Sequence, residues 1–117
     1  MDHDDAAAFA ASWIDAWNAH DVEAVLEHFS DDVVFSSPKI AEFMGDPSST
    51  VSGKDALHTY WLEGVRRIPD LRFELTGVLT GVGSIAIAYR NQAGGSGLEM
   101  GTLDGNGRIS RGWALYG

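Results

Sequence analysis

The spacing of apolar residues predicts helices in the first part of the chain. Phe9, Trp13 and Trp17 recur every four residues, so a helix from residue 4 to residue 18 carries one aromatic stripe toward the interior. Asp21 follows a break in this pattern and is placed to cap a second, short helix. Both helices are expected to bury one apolar face.

The pattern between the second helix and residue 70 is less regular. The second helix is predicted to end near Phe29, and Val33–Phe35 is a short β-branched and aromatic run typical of a strand. Lys39–Ser52 contains proline, glycine and consecutive polar residues, which predicts a loop of about a dozen residues that forms a lid or a pocket wall. A variant capping-box pattern at residues 52–55 predicts a third helix that ends near Arg67.

The second half of the chain alternates apolar and polar residues in a way that is typical of strands. Gly77 interrupts the first of these runs and predicts a bulge where the strand bends. Glycine-rich segments between the later runs predict hairpin turns, and strands joined in this way form an antiparallel meander. The runs are residues 71–76 with their extension past Gly77, Ser84–Asn91, Leu98–Leu103 and Ile109–Tyr116. Helices followed by strands predict an α+β domain, with three helices on one curved antiparallel sheet.

The direction of the side chains decides what the curved sheet encloses. In the second run, an outward Arg90 leaves Ile85, Ile87, Tyr89 and Asn91 facing the helices.

Two orientations are open for the last two runs. In one, Glu99 faces the helices, and Met100, Trp113 and Leu115 form an apolar outer face that predicts a subunit interface. In the other, Met100 and Trp113 are buried and Glu99 lies in solvent. Hydrophobicity alone favours the second orientation.

Composition narrows the classes of partner. The 117 residues are the length of one domain, residues 1–117, and 17 acidic against 8 basic residues give a formal charge of -9. This balance argues against nucleic acid and anionic membrane surfaces as partners, because both bind Lys and Arg. The chain has no cysteine, and its four histidines lack metal-ligand spacing, so no metal is expected. The acidic N-terminus is unlike a signal peptide, which predicts a cytoplasmic location.

Three segments resemble the SnoaL-like domains of the nuclear-transport-factor-2-like superfamily. They are Trp17-Asn18-Ala19-His20-Asp21 with the run Phe29–Phe35, Ser52-Gly53-Lys54-Asp55-Ala56 through Trp61, and Asp104-Gly105-Asn106-Gly107-Arg108-Ile109 through Gly117. The superfamily includes polyketide cyclases, ketosteroid isomerases and limonene-epoxide hydrolases. The resemblance implies a cone-shaped α+β fold and a homodimer through the outer sheet face. It therefore favours the orientation with Glu99 inward.

The resemblance can be followed to the catalytic positions of the ketosteroid isomerases. Trp13 stands where they carry a tyrosine phenol, and Ser37 stands where they carry the aspartate base that precedes a proline. Glu99 matches their second carboxylic acid, so one of three groups is retained in kind and that isomerase reaction is not expected. The epoxide hydrolase constellation is not recognisable. SnoaL-type cyclases use a pocket carboxylic acid for acid–base work, and Glu99 matches that role.

These observations predict a site around Glu99 as the candidate catalytic residue, in a pocket where desolvation raises its pKa. The alternatives for Glu99 are a surface position or an ion pair with Arg108 or Arg111. Tyr89 and Asn91 either orient a ligand or bond to each other or to the backbone. The predicted ligand-binding residues are Trp13, Trp17, Phe35, Ser37, Trp61, Ile87, Tyr89, Asn91 and Tyr116.

The predicted activity is that of a cofactor-independent cyclase, isomerase or dehydratase that acts on an apolar or aromatic small molecule. A non-catalytic ligand-binding or dimerisation module is the alternative function. A third possibility is that aromatic side chains fill the cone and leave less than the roughly 300 Å³ typical of ligand sites.

Overall fold

The computed structural model describes all residues from Met1 to Gly117. The helices are α1 (His3–Asn18), α2 (Val22–Leu26), α3 (Pro38–Met44) and α4 (Lys54–Arg67). The strands are β1 (Phe29–Ser36), β2 (Thr50–Ser52), β3 (Glu74–Gly81), β4 (Ser84–Arg90), β5 (Ser96–Leu103) and β6 (Ile109–Tyr116). None of the helices combines the length and the apolarity that crossing a membrane requires.

Side-chain caps begin the first two helices. The Asp2 carboxylate accepts a hydrogen bond from the Asp5 amide at 2.8 Å, and the Asp21 carboxylate accepts one from the Ala24 amide at 3.1 Å. Trp13 and Trp17 are buried on α1, which confirms the aromatic stripe. The second helix ends at Leu26 and not near Phe29 as predicted, since Phe29 is the first residue of β1.

The prediction of a loop from Lys39 to Ser52 was wrong. The segment contains α3 and β2, so the fold has four helices. The Ser37 hydroxyl caps α3 by accepting from the Lys39 amide at 3.2 Å, Pro38 occupies the first turn, and Gly45 ends the helix with a left-handed φ of 69°. These are ordinary start and stop signals, and they lie within a stretch whose proline, glycine and serine content resembles a loop.

The predicted capping box at the start of α4 is also absent. Gly53 occupies the cap position with a φ of 89°, and no side chain bonds to the free amides there. Glycine adopts this φ readily, so the chain turns sharply from β2 into α4. The end of the helix at Arg67, just before Pro69, is as predicted.

The six strands form one curved, open sheet in the order β2-β1-β6-β5-β4-β3. Strands β3 to β6 make the predicted antiparallel meander, and the β3–β4 register shifts between Leu75 and Gly77, which confirms the bulge. The sheet is mixed and not antiparallel throughout, because β1 pairs in parallel with β6. The sequence pattern identified only Val33–Phe35 of β1. It gave no sign that β6 is a neighbour, since β1 and β6 are separated by most of the chain.

The side chains of β5 and β6 take the orientation with Glu99 inward, and the orientation favoured by hydrophobicity was wrong. Gly97, Glu99 and Gly101 are buried, while Met100 remains 37% exposed on the outer face with Leu115. Large neighbours occupy the space that the glycines leave. A methyl group at Gly101 would lie 2.6 Å from Ile109 Cγ2, and one at Gly112 would lie 2.8 Å from Phe35 Cδ2. Packing volume, and not hydrophobicity alone, sets this orientation.

Candidate functional site

A cavity lies between the helices and the concave face of the sheet. α1 and α4 contribute tryptophan side chains from one side, and β1, β4, β5 and β6 contribute residues from the other. The lining residues are Trp13, Trp17, Phe35, Lys39, Phe43, Tyr60, Trp61, Gly64, Ile68, Leu71, Phe73, Tyr89, Asn91, Gln92, Glu99, Ala114 and Tyr116. Most of this surface is apolar, with a small number of polar groups, which is the usual composition of a small-molecule site.

Aromatic rings around the cavity pack either edge to face or face to face. Phe73 stacks on Tyr89 with ring centres 4.1 Å apart, and it also stacks on Trp13 at 5.8 Å. The Trp17 ring meets Trp61 edge-on at 5.2 Å. These contacts hold the walls in fixed positions, since such aromatic pairs have preferred geometries.

Asn18 fixes Phe73 through the backbone. Its side-chain oxygen accepts from the Phe73 amide at 2.7 Å, and its side-chain nitrogen donates to the Phe73 carbonyl at 2.9 Å. His20 makes a similar connection, with Nε2 2.8 Å from the Leu71 carbonyl oxygen. The end of α1 thereby positions the segment that leads into β3. The sequence pattern placed Asn18 at the end of the first helix and His20 in the break that follows, and it predicted no contact with residues 71–73 for either.

Glu99 is the polar group at the centre of the site. Its side chain is only 5% exposed, and Oε2 is buried without a hydrogen-bond partner. Burial raises the pKa of this carboxyl from 4.5 to about 8, and the nearby Trp13 indole N–H opposes the shift only in part. The Trp13 indole nitrogen is itself buried and does not reach hydrogen-bond geometry.

The ion-pair alternatives for Glu99 do not occur. The Arg111 guanidinium lies on the other side of the sheet, where it donates to the carbonyl oxygens of Val34 and Gly112 and to Ser36 Oγ. It also lies 4.2 Å above the Trp113 ring. Neither Arg108 nor Arg111 forms a salt bridge with Glu99. The carboxyl is therefore without a compensating positive charge, which is why desolvation dominates its pKa.

Three phenols surround the same space. The Tyr60 hydroxyl donates to Ser37 Oγ at 3.1 Å. Burial is the main cause that raises the pKa of Tyr60, Tyr89 and Tyr116, and the charge of Glu99 adds to the shift in each case. All three phenols therefore remain protonated near neutral pH and can act as hydrogen-bond donors.

All of the predicted site residues except Ser37 and Ile87 line this cavity. The Ile87 side chain is fully buried in the core beside Glu99, its cross-strand partner. Ser37 lies behind Tyr60 and caps α3. Asn91 bonds to the backbone, with its side-chain oxygen accepting from the amides of Ala93 and Gly95 at 3.0 and 2.9 Å.

Sequence reasoning missed several lining residues. Tyr60 was visible as an apolar position on the third helix, directly before Trp61, and Phe73 was visible in the first strand run. Lys39 and Phe43 lie in the segment that was predicted to be a loop forming a lid or a pocket wall. The segment does line the cavity, but only recognition of α3 could have identified these two residues. No three His, Asp or Glu side chains come together in a way that could hold a metal ion. His28 is a backbone-bonded residue, with Nδ1 3.3 Å from the carbonyl oxygens of Ala24 and Val25.

The free volume of the cavity is about 80 Å³, below the roughly 300 Å³ typical of drug-sized ligand sites. Aromatic side chains thus fill much of the cone. The remaining space reaches the surface, where Tyr116 is 39% exposed and Gln92 is exposed. We call this opening beside Tyr116 and Gln92 the mouth of the cavity. A ligand with one aromatic ring fits only if it extends through the mouth or displaces a side chain of the cavity wall.

Comparison with known proteins places these features in context. A family model described as a SnoaL-like domain matches residues 10–113. Among curated proteins, none matches the sequence. The crystal structure of a SnoaL-like protein of unknown function from Burkholderia thailandensis E264 is 41% identical, covers 100% of this chain and 98% of its own, and has a TM-score of 0.94.

Two more distant structures share the fold. TerC, co-crystallised with polyporic acid, is 11% identical with a TM-score of 0.77, and the match covers 95% of this chain and 90% of TerC. SalBIII, an epoxide hydrolase/cyclase-like enzyme of pyran ring formation in salinomycin, is 18% identical with a TM-score of 0.73, and the match covers 99% and 93% of the two chains.

Proposed function

The chain belongs to the SnoaL-like domain family, and we propose that it binds an apolar or aromatic small molecule in the aromatic cavity and moves a proton on that molecule with Glu99. The reaction is of the isomerase, cyclase or dehydratase type and uses no cofactor. One observation carries the proposal: a buried carboxyl with an unpartnered oxygen faces an apolar cavity.

A pKa of about 8 keeps the Glu99 carboxyl mostly neutral at pH 7. In this form it can donate a hydrogen bond or a proton to a carbonyl oxygen of the ligand. Ketosteroid isomerases use a carboxylic acid in the same way, because an apolar site keeps it neutral and able to donate a hydrogen bond. The anionic form, which grows as the pH approaches 8, can remove a proton from the carbon beside the same carbonyl. One residue can therefore serve as both acid and base.

The surrounding donors support this chemistry. The phenol of Tyr89 and the indole N–H of Trp13 line the same cavity as Glu99 and can stabilise negative charge on a ligand oxygen. The aromatic faces of Trp61 and Phe73 offer apolar surface to a planar ligand. This distribution of groups suits a planar molecule whose carbonyl group lies near Glu99.

Hydrogen–deuterium exchange tests the elementary step that these reactions share. Phenylacetone, a single-ring ketone with exchangeable benzylic hydrogens, is incubated with the protein in D2O and followed by NMR. The wild type is expected to accelerate exchange, and Glu99→Gln is expected to lower the enzymatic rate by about 10²-fold or more. Glu74→Gln, which alters an exposed carboxylate on β3, serves as the matched control and is expected to keep the wild-type rate. Equal rates for Glu99→Gln and wild type would remove Glu99 from the mechanism.

The second candidate function is a non-catalytic ligand-binding module. Two observations favour it: the free volume is small, and the Ser37 hydroxyl, at the position of the isomerase base, is occupied by Tyr60. The same experiment separates the candidates, because a wild type that binds phenylacetone and does not accelerate exchange supports the binding module.

The outer face of the sheet is the proposed subunit interface. Met100 and Leu115 are exposed there beside Trp113, and this apolar patch is suited to a second copy of the chain.

A further inference from the structure

A single cation lies at the mouth of the cavity. Lys39, the second residue of α3, lines the cavity with a half-buried side chain. Its Nζ is 4.7 Å from the centre of the Tyr116 ring and 5.9 Å from that of Phe43. The two aromatic faces hold the ammonium group at the edge of the site through cation–π attraction.

This ammonium group has no anionic partner within the chain. The chain has two lysines, and Lys54 pairs with Asp31 at 3.7 Å. Arg66 and Arg67 both pair with Glu63, at 2.6 and 2.7 Å. The remaining four arginines form no salt bridge either, but none of them lines the cavity. Lys39 forms no salt bridge and donates no side-chain hydrogen bond. Its position sets Lys39 apart, because it is the one basic residue that lines the cavity.

The helix that carries Lys39 does not favour a lysine at this position. Lys39 lies in the first turn of α3, where the helix dipole disfavours a positive charge. Its three ammonium hydrogens are left to solvent or to a ligand. A cation kept at the mouth of an apolar cavity, in a chain with a charge of -9, instead favours binding of an anionic group.

We propose that the ligand is an apolar or aromatic molecule that carries a carboxylate, and that this carboxylate binds Lys39 while the apolar part enters the cavity toward Glu99. The inference rests on the proposed function and names its substrate class. The two ends of the cavity differ in chemistry, with a cation at the mouth and a buried carboxyl inside, so the carboxylate of the ligand selects one orientation. In that orientation the part of the molecule remote from the carboxylate reaches Glu99.

A matched pair of probes tests the inference. Cinnamate carries a carboxylate on a flat aromatic body, and cinnamamide is its neutral counterpart. Binding is followed by the NMR signals of the indole N–H groups, because Trp13, Trp17 and Trp61 line the cavity while Trp113 lies on the outer face as an internal reference. This readout reports binding in the cavity and needs no turnover.

The wild type is expected to bind cinnamate roughly tenfold more tightly than cinnamamide, as a charge-assisted contact with a half-buried ammonium allows. Lys39→Met keeps the aliphatic stem and is expected to abolish the preference, while Lys39→Arg keeps it. Lys54→Met removes the same charge at a site away from the cavity and is expected to preserve the preference.

The outcomes separate this inference from the proposed function. Equal binding of the two probes to the wild type, or an undiminished preference in Lys39→Met, would overturn the role of Lys39 and leave the aromatic cavity as a binding site. If Lys54→Met lost the preference as well, net charge and not Lys39 would be its cause, which also overturns the inference. If neither probe shifted the indole signals at millimolar concentration, both the inference and the binding function would fall.

Discussion

At the scale of single residues, the chemistry that we propose depends on where one carboxyl lies. Glu99 is surrounded by apolar and aromatic side chains and has no basic partner, so its neutral form is favoured. A carboxyl group that bonds to cations at the surface shows the opposite pKa shift. Glu63, which bonds to Arg66 and Arg67 at the surface, has a pKa lowered to about 2 by those hydrogen bonds. The same type of side chain is thus an acid at neutral pH in one place and a permanent anion in the other.

The raised pKa of Glu99 predicts a stability that falls as the pH rises. The unfolded chain loses this proton near pH 4.5, whereas the folded chain keeps it until about pH 8. Between these values the unfolded state binds fewer protons, so the free energy of unfolding falls by up to about 1.4 kcal/mol per pH unit from this group. Thermal unfolding from pH 5 to pH 8 measures the slope.

Glu99→Gln supplies the comparison for this slope. The variant keeps a neutral side chain of similar size, so its stability is expected to vary less with pH over the same interval. Groups with lowered pKa values, such as Asp46 and Asp104, change the stability with pH only below pH 5. Both proteins contain these groups, so they do not affect the comparison. Parallel pH profiles for the two proteins would contradict the burial of Glu99 as an acid.

At the scale of elements, small residues on β5 and β6 create the space that the aromatic residues occupy. Gly97 lies directly under the Tyr89 ring, and Gly101 and Gly112 accommodate Ile109 and Phe35. On β5, the glycines on either side of Glu99 therefore allow large side chains to pack against the strand. α3 has a comparable role at the mouth, because its cap, Ser37, also accepts the Tyr60 hydroxyl.

Gly97→Ala is expected to destabilise the protein by about 1–3 kcal/mol, because the added methyl group overlaps the Tyr89 ring and forces it to move. Gly105→Ala is the matched control, since nothing lies within 4 Å of the position and its φ is not positive. Denaturant unfolding measures both. Equal stabilities for the two variants would show that Tyr89 is not held against β5.

Ser37→Ala is expected to cost more stability than Tyr60→Phe. The first change removes both the cap of α3 and the acceptor of a buried hydroxyl, about 1–3 kcal/mol together, whereas the second removes one hydrogen bond of about 1 kcal/mol. Chemical denaturation of the two variants and of the double variant gives the three values. A Ser37→Ala cost no greater than that of Tyr60→Phe would argue that the cap does not stabilise α3.

At the scale of the whole molecule, the two faces of the sheet differ in the side chains that they present. The concave face carries the cavity and Glu99, and the outer face carries Met100, Trp113 and Leu115 in partial contact with solvent. A chain with a charge of -9 repels its own copies, so a stable dimer is favoured by an interface without negative charge. Met100, Trp113 and Leu115 are uncharged, and the guanidinium that lies over the Trp113 ring, that of Arg111, is positive.

Light scattering is expected to give twice the 12.6 kDa mass of the chain at micromolar concentration. Leu115→Glu places a charge in the proposed interface and is expected to reduce the mass to that of one chain. Leu62→Glu alters an equally exposed leucine on α4 and is expected to leave the dimer intact. A wild type of 12.6 kDa would rule out the interface.

The sequence by itself determined the local features of this protein. The aromatic stripe of α1, the Asp21 cap, the bulge near Gly77 and the bounds of β6 depend on neighbouring residues, so their patterns are visible along the chain. The order of helices and strands predicted the α+β class. Recognition of the SnoaL-like pattern added the cone-shaped fold, and it favoured the inward direction of Glu99.

Only the tertiary structure decided the features that join distant segments. The parallel contact of β1 with β6, the position of Lys39 at the mouth and the free volume of about 80 Å³ depend on how elements pack in space. The orientation of β5 belongs to the same class, because it is fixed by the fit of Ile109 and Phe35 into glycine positions and not by the alternation of its own residues. Close packing is a property of all segments together, and no single segment contains it.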